Sequence, residues 1–313
     1  MMASFDALLE KLGKTYAEIA RLELELASEQ PSPLGVAQLT SVKRMAAQLE
    51  TEWKAFARVK LYEVCRYRVI DRRSTTFSVS PLSRSISHFQ DLFSQIYDAL
   101  KNGPRERARI TPDVELESNL KLAYTFPGSF GFVLIAEAEP GLFDSPFEDA
   151  ASALIEIMSS SDEFDIRDLS KELGQAVVKR TYEWSRANSN AGYGLDLQWV
   201  GPHYGQKTKT IEADQFAKLV DIIEGTKDRK ETIIEARGIL LGMDTKTRRF
   251  RFHAQPSGDD YSGLTSEEFD LSHDWIVNHS YVARISSVSE TRYSTLETKI
   301  SYTLLSLRDA QEV

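Results

Sequence analysis

Through residues 4–27 the positions Phe5, Leu8, Leu12, Thr15, Ile19, Leu22 and Leu26 fall at alternating spacings of three and four. That is the a/d pattern of an amphipathic helix. Leu9 and Tyr16 widen the stripe, and Ser4 suits an N-cap. The run SEQPSPLG over 28–35 holds two prolines and a glycine and predicts a break. A second helix follows to about Val59, with its stripe at Leu39, Val42, Ala46, Leu49, Trp53 and Phe56. Two such helices around a short breaker predict an antiparallel helical hairpin. Helices of this length bury little alone and need a partner surface. Either the rest of the chain or a second copy would serve, and the expectation favours a second copy. The oligomerisation surface would then comprise Phe5, Leu8, Leu12, Ile19, Leu22, Leu26, Leu39, Val42, Leu49, Trp53 and Phe56. On that expectation, removal of residues 1–58 lowers the assembly state and leaves the remainder folded.

The pattern then shortens. Lys60–Ile70 alternates with period two and is rich in Val, Ile and Tyr, which predicts a strand. Leu82–Leu100 returns to helical spacing and stops at Gly103-Pro104. In Leu120–Ala138 an alternating half and a continuous apolar half, Phe130–Ala136, flank Pro127-Gly128. This predicts a hairpin whose second strand is covered on both faces. Helices are expected over Phe147–Ser159, Ile166–Arg186 (broken near Gly174) and Ala213–Glu224. A loop at Asn188–Gly194 leads to a strand at Leu195–Val200. From Glu231 onward the texture is that of short strands: Thr232–Met243, Arg248–Ala254, Tyr281–Val288 and Leu296–Leu307. Such spacing fits a small barrel of the SH3-like or OB-like sort. The expected fold class is mixed α+β, with a helical hairpin at 1–58, a mixed α/β body at 59–227 and a β-barrel-like module at 228–313.

Composition narrows the function classes. The 313 residues are 42% hydrophobic and 27% charged, the profile of an ordinary globular protein. No run approaches the roughly 18 apolar residues that a membrane helix needs, and the opening MMASFDALLEKLGK has no basic stretch before an apolar core. One cysteine, Cys65, leaves no intramolecular disulfide and no multi-thiolate metal site. A cytoplasmic protein without membrane association is expected. The net charge of −9 argues against general coating of nucleic acid.

Candidate chemistry is sparse. The five histidines form no metal-ligand pair, and neither a GxxxxGK[ST] nor a GxSxG motif occurs. Glu297-Thr-Lys299, with Asp270 and Asp274 upstream, has the E-x-K form of some metal-dependent nucleases, a short pattern with a high chance rate. Basic clusters stand out more: Arg66, Arg68, Arg72 and Arg73; a loop with Arg105, Arg107 and Arg109; and Arg248, Arg249 and Arg251 alternating with Phe250 and Phe252. Arginines and aromatics together would make a stacking platform for a nucleic-acid strand. In a half-buried strand, however, the phenylalanines would face inward and no platform would exist.

The sequence therefore predicts a non-enzymatic assembly or adaptor protein with no catalytic residue, metal or cofactor. It would form a dimer or higher homo-oligomer and engage a protein partner through the C-terminal module. A place in a prokaryotic defence or toxin-related system belongs to this expectation, although no residue carries it. The alternative is a nucleic-acid-binding protein, in one version a nuclease, using Arg66, Arg68, Arg72, Arg73, Arg248, Arg249 and Arg251. A third reading places a small-molecule pocket near Pro127–Phe130 and Asn188–Gly194.

Overall fold

The computed structural model describes residues 5–27, 32–59, 62–73, 76–126, 130–137, 146–201 and 206–310. The fold is mixed α+β, and the chain divides into two compact units, Met1–Gly225 and Thr226–Val313.

In the first unit, α1 (Phe5–Ala27) and α2 (Pro33–Val59) form the helical hairpin. Behind it lies a five-stranded sheet in the order β2-β3-β1-β4-β5, made of β1 (Tyr62–Ile70), β2 (Lys121–Phe126), β3 (Phe130–Glu137), β4 (Gly194–Val200) and β5 (Gln206–Ile211). All four pairings are antiparallel. The period of two sorts β1 into two faces, one fully buried and the other partly covered. Cys65, Tyr67 and Val69 join Phe132, Leu134, Leu195, Leu197 and Trp199 on one of them. There they meet α3 (Val79–Asn102), α5 (Pro146–Ile157), α7 (Gln175–Ala191) and α8 (Ala213–Gly225). Phe93 of α3 stacks on Trp199 with ring centres 4.9 Å apart.

The opposite face explains the double-sided apolar run of β3. Val64, Tyr124, Phe126, Val133, Ile135 and Val200 pack under Leu8, Leu12, Leu49, Trp53 and Ala57 of the hairpin. Trp53 is fully buried, its ring edge-on to Tyr124 at 5.8 Å. Tyr16 stacks on Tyr124 at the same distance and donates its hydroxyl hydrogen to Glu50. Leu8, Leu12, Leu49 and Trp53 are thus spent inside the chain, and residues 1–58 supply one wall of the sheet's core. Their removal would strip Tyr124, Phe126, Val133 and Ile135 of cover, against the expectation of an intact remainder.

Beyond this seat the helices pack on each other. Ile19, Leu22 and Ala46 are buried there, and Lys43 meets Glu23 at 2.7 Å. Leu26, Leu39, Val42 and Phe56 are half-buried, whereas Leu24, Leu34, Val36 and Met45 are exposed. Phe5 lies in α1, but its side chain falls outside the described residues.

Several local expectations change. The segment Asn188–Ala191 is the end of α7, with Asn188 buried and donating to the Trp184 carbonyl. Pro127–Ser129 lies outside the described residues. A short helix α4 (Pro112–Glu117) starts behind Thr111, and α6 (Glu163–Leu173) starts at Asp162, whose carboxylate accepts the Phe164 and Asp165 N–H groups. The strand β5 has no counterpart in the sequence reading.

The second unit contains β6 (Lys227–Asp244), β7 (Arg249–Ala254), β8 (Asp260–Thr265), β9 (Ser280–Arg292) and β10 (Thr298–Asp309). They close in the cyclic order β6-β7-β8-β10-β9. Every pairing is antiparallel except β8 with β10, which is parallel and only two residue pairs long. The closed ring is barrel-like. The long strand β6 turns the corner, pairing with β9 over its first part and with β7 over its last. Two glycines allow the closure. A Cβ on Gly238 would overlap the His253 carbonyl oxygen, and one on Gly263 would overlap that of Tyr302, where β8 meets β10. Leu240, Phe250, Phe252, Ala283, Ile285 and Leu304 fill the interior.

Candidate binding face of the C-terminal barrel

The alternation in Arg249–Ala254 settles which side chains point where. Phe250 and Phe252 are fully buried, and Arg249 and Arg251 are exposed. The stacking platform suggested by the alternating sequence therefore does not form: the aromatic rings belong to the barrel core. What remains outside is a face of three short rows fixed by strand register. Asp244, Arg249 and Leu264 form the first row, Gly242, Arg251 and Ser262 the second, and Ile239, His253 and Asp260 the third. In the middle row Arg251 stands between a glycine and a serine, so the surface dips on either side of it. An open cleft of about 810 Å³ results, lined on its outer side by Gly242, Asp244, Arg249, Arg251, Ser262 and Leu264. Leu264 is 52% exposed.

Most charged groups around this face have internal duties. Asp244 accepts the Lys246 and Thr247 N–H groups at 2.9 and 3.0 Å, shaping the turn between β6 and β7. A hydrogen bond from the Thr247 side chain, then the Thr247 and Lys246 N–H groups and the attraction of Arg249, hold its carboxyl below the usual aspartate range. Arg248, the residue of this turn with φ of 57°, donates to the Ser266 carbonyl. His253 pairs with Asp260 at 2.8 Å. Arg249 and Arg251 differ from these: among the described residues neither guanidinium makes a hydrogen bond or a close ion pair, and Arg249 feels only the attraction of Asp244 across the strand pair.

The cluster on β1 is not a comparable surface. Arg66 donates to both oxygens of Glu50 at 2.9 Å and lies 4.4 Å over the Phe126 ring. Arg68 pairs with Asp196 at 2.8 Å, and Arg72 with Glu212 at 2.6 Å. Arg73 donates to the Ala191 carbonyl and lies 3.4 Å from Asp71. Each arginine predicted there already has an acceptor, and Arg66 joins the hairpin to the sheet. Comparison with protein-family models, curated proteins and solved structures finds no match.

The remaining candidates find ordinary roles. Cys65 is buried in β1, and burial pushes its thiol pKa far up, which suppresses the reactive thiolate. Asp270 caps its own loop by accepting the Ser272 N–H and hydroxyl at 2.9 and 2.6 Å. Glu297 sits in the turn between β9 and β10, its carbonyl accepting the Arg292 N–H at 3.1 Å. Among the described residues no group of three or more His, Cys, Asp or Glu is placed to share a metal ion, and no helix is long and apolar enough to cross a membrane. Leu264 and Gly242 were missed by the sequence reading. Their only signal is register: a strand paired with Arg249–Ala254 must bring its alternate residues to the same face.

Proposed function

We propose that this chain is a non-enzymatic adaptor that engages a partner through the outer face of β6, β7 and β8 and self-associates through the far half of its helical hairpin. The observation that carries the first part is the pair of exposed arginines without internal acceptors, held by rigid strands beside an open cleft. Exposed guanidiniums with no internal acceptor are free to take an anionic or carbonyl acceptor from a partner. The exposed Leu24, Leu34, Val36 and Met45 support the second part. A nucleic-acid partner is the second reading, favoured by the barrel-like closure of the five strands.

The test is quantitative capture from the host with full-length protein, comparing wild type with the double variant Arg249→Glu/Arg251→Glu. A stoichiometric partner should be held by wild type and lost by the variant. Equal capture by both proteins would refute the assignment of the face. For assembly, sedimentation of Leu24→Glu/Leu34→Glu should show a smaller species than wild type. A wild-type monomer at every concentration would refute self-association.

A further inference from the structure

Resting on the adaptor reading, we infer that the cleft on β6, β7 and β8 takes an extended acidic segment of a partner protein, with carboxylates on Arg249 and Arg251 and an apolar side chain on Leu264. Arg249 and Arg251 are two residues apart on one face of one strand, so their stems leave the sheet about 6–7 Å apart. Alternate residues of an extended ligand present carboxylates at the same spacing. Each guanidinium offers a planar fork that matches a carboxylate, which favours two discrete acceptors over a diffuse field. Leu264 is the cross-strand neighbour of Arg249, so an apolar ligand residue two positions before the first carboxylate, on the same face of the extended segment, can cover it. Gly242 and Ser262 leave the room in which the ligand backbone lies.

The same surroundings disfavour a nucleic-acid strand. Residues 226–313 hold twelve Lys and Arg against fourteen Asp and Glu, so the unit as a whole repels a polyanion. Asp244 lines the cleft itself and Asp260 stands in the next row, and the rings that would stack on bases are buried. A short peptide with two acidic residues and one leucine meets the arginines without bringing a continuous phosphate chain past those aspartates.

The experiment uses the full chain with isotope-labelled backbone amides and three probes: a synthetic peptide with leucine and two glutamates at successive alternate positions and serines between them, the same peptide with every glutamate replaced by glutamine, and single-stranded oligothymidylate. The acidic peptide should shift the amides of Arg249, Arg251, Ser262 and Leu264. Its affinity should fall at least tenfold in Arg249→Gln/Arg251→Gln, which removes both charges without adding repulsion. Tenfold corresponds to about 1.4 kcal/mol. Unchanged amide shifts elsewhere in the barrel would show that this variant is folded. Equal binding of the glutamine peptide, or arginine-dependent binding of oligothymidylate in preference to the acidic peptide, would overturn the inference about the ligand and leave the face itself standing. If no probe shifts these amides, the inference fails. If the capture experiment is also indifferent to both arginines, the adaptor face fails with it.

Discussion

Trp53 gives the sharpest test of how the hairpin is held. Its side chain is fully buried among Leu8, Leu12, Leu49 and Val133, with Tyr124 edge-on at 5.8 Å. Truncation of a buried tryptophan to alanine costs about 3–5 kcal/mol in lost transfer energy and residual cavity. The aromatic contact accounts for about 0.5–1.5 kcal/mol beyond area burial, which places Trp53→Ala toward the upper part of that range. A domain of ordinary stability has only about 5–15 kcal/mol in total, so the first unit would lose a large fraction. Urea unfolding followed by tryptophan fluorescence resolves the effect, because Trp184 and Trp199 report on the first unit and Trp275 on the barrel. The midpoint of the first unit should drop sharply while the barrel transition stays in place. Leu24→Ala, a change at a residue 73% exposed, should move neither by more than about 0.5 kcal/mol. A loss below about 1 kcal/mol for Trp53→Ala would refute the packing described here. The hairpin would then be a separable appendage whose stripe faces another molecule.

Two further outcomes follow from the same coordinates. Gly263→Ala places a methyl group on the Tyr302 carbonyl and should destabilise the barrel by about 1–3 kcal/mol in a thermal melt. Gly242→Ala meets nothing within 4 Å and should be mild, and equal melting of the two variants would contradict the closure. The hydroxyls of Tyr16 and Tyr124 have pKa values raised, chiefly by burial and further by the nearby Glu50. Unfolded tyrosines release their protons near pH ~10 while the folded ones keep theirs. The unfolded state then binds fewer protons, so stability present below that pH is lost as pH rises through it. Tyr124→Phe should flatten this alkaline loss, measured by urea midpoints across the range, and an unaltered slope would refute it.

Much of the chain was legible because its elements obey one period each. The a/d stripe from Leu8 to Trp53, the two-faced strand at Phe130–Ala136 and the inward phenylalanines of Arg249–Ala254 are all written in spacing. What spacing does not carry is the identity of the facing surface. The stripe on α1 and α2 suits a second copy of the hairpin as well as Tyr124 and Val133 on a sheet. The strands missed or not located are those that need few apolar residues. In β5, QKTKTI, only Ile211 is buried, while Lys207 and Lys209 reach out to Ser152 and Ser159 on or beside α5. In β8, DYSGLT, the composition of a turn conceals a strand whose glycine is required by the neighbouring backbone. Helix α4 was readable after all: Pro112 follows Thr111, with Asp113 and Glu115 in the first turn. The candidate face was half legible, through its arginines. Leu264 and Gly242 reach it only by pairing across strands.

The attachment of the hairpin at one end has a mechanical consequence. Sheet contacts draw on α1 residues up to Tyr16 and on α2 residues from Leu49 onward. The 27 residues of α2 make a rod of about 40 Å, so much of its length projects past that seat. A small rotation about Trp53 and Arg66 becomes a displacement several times larger at the far end. Conversely, force applied at the far end is felt at β1 and β2 with the advantage of a long arm. A molecule that gripped that end would therefore have leverage on the central sheet.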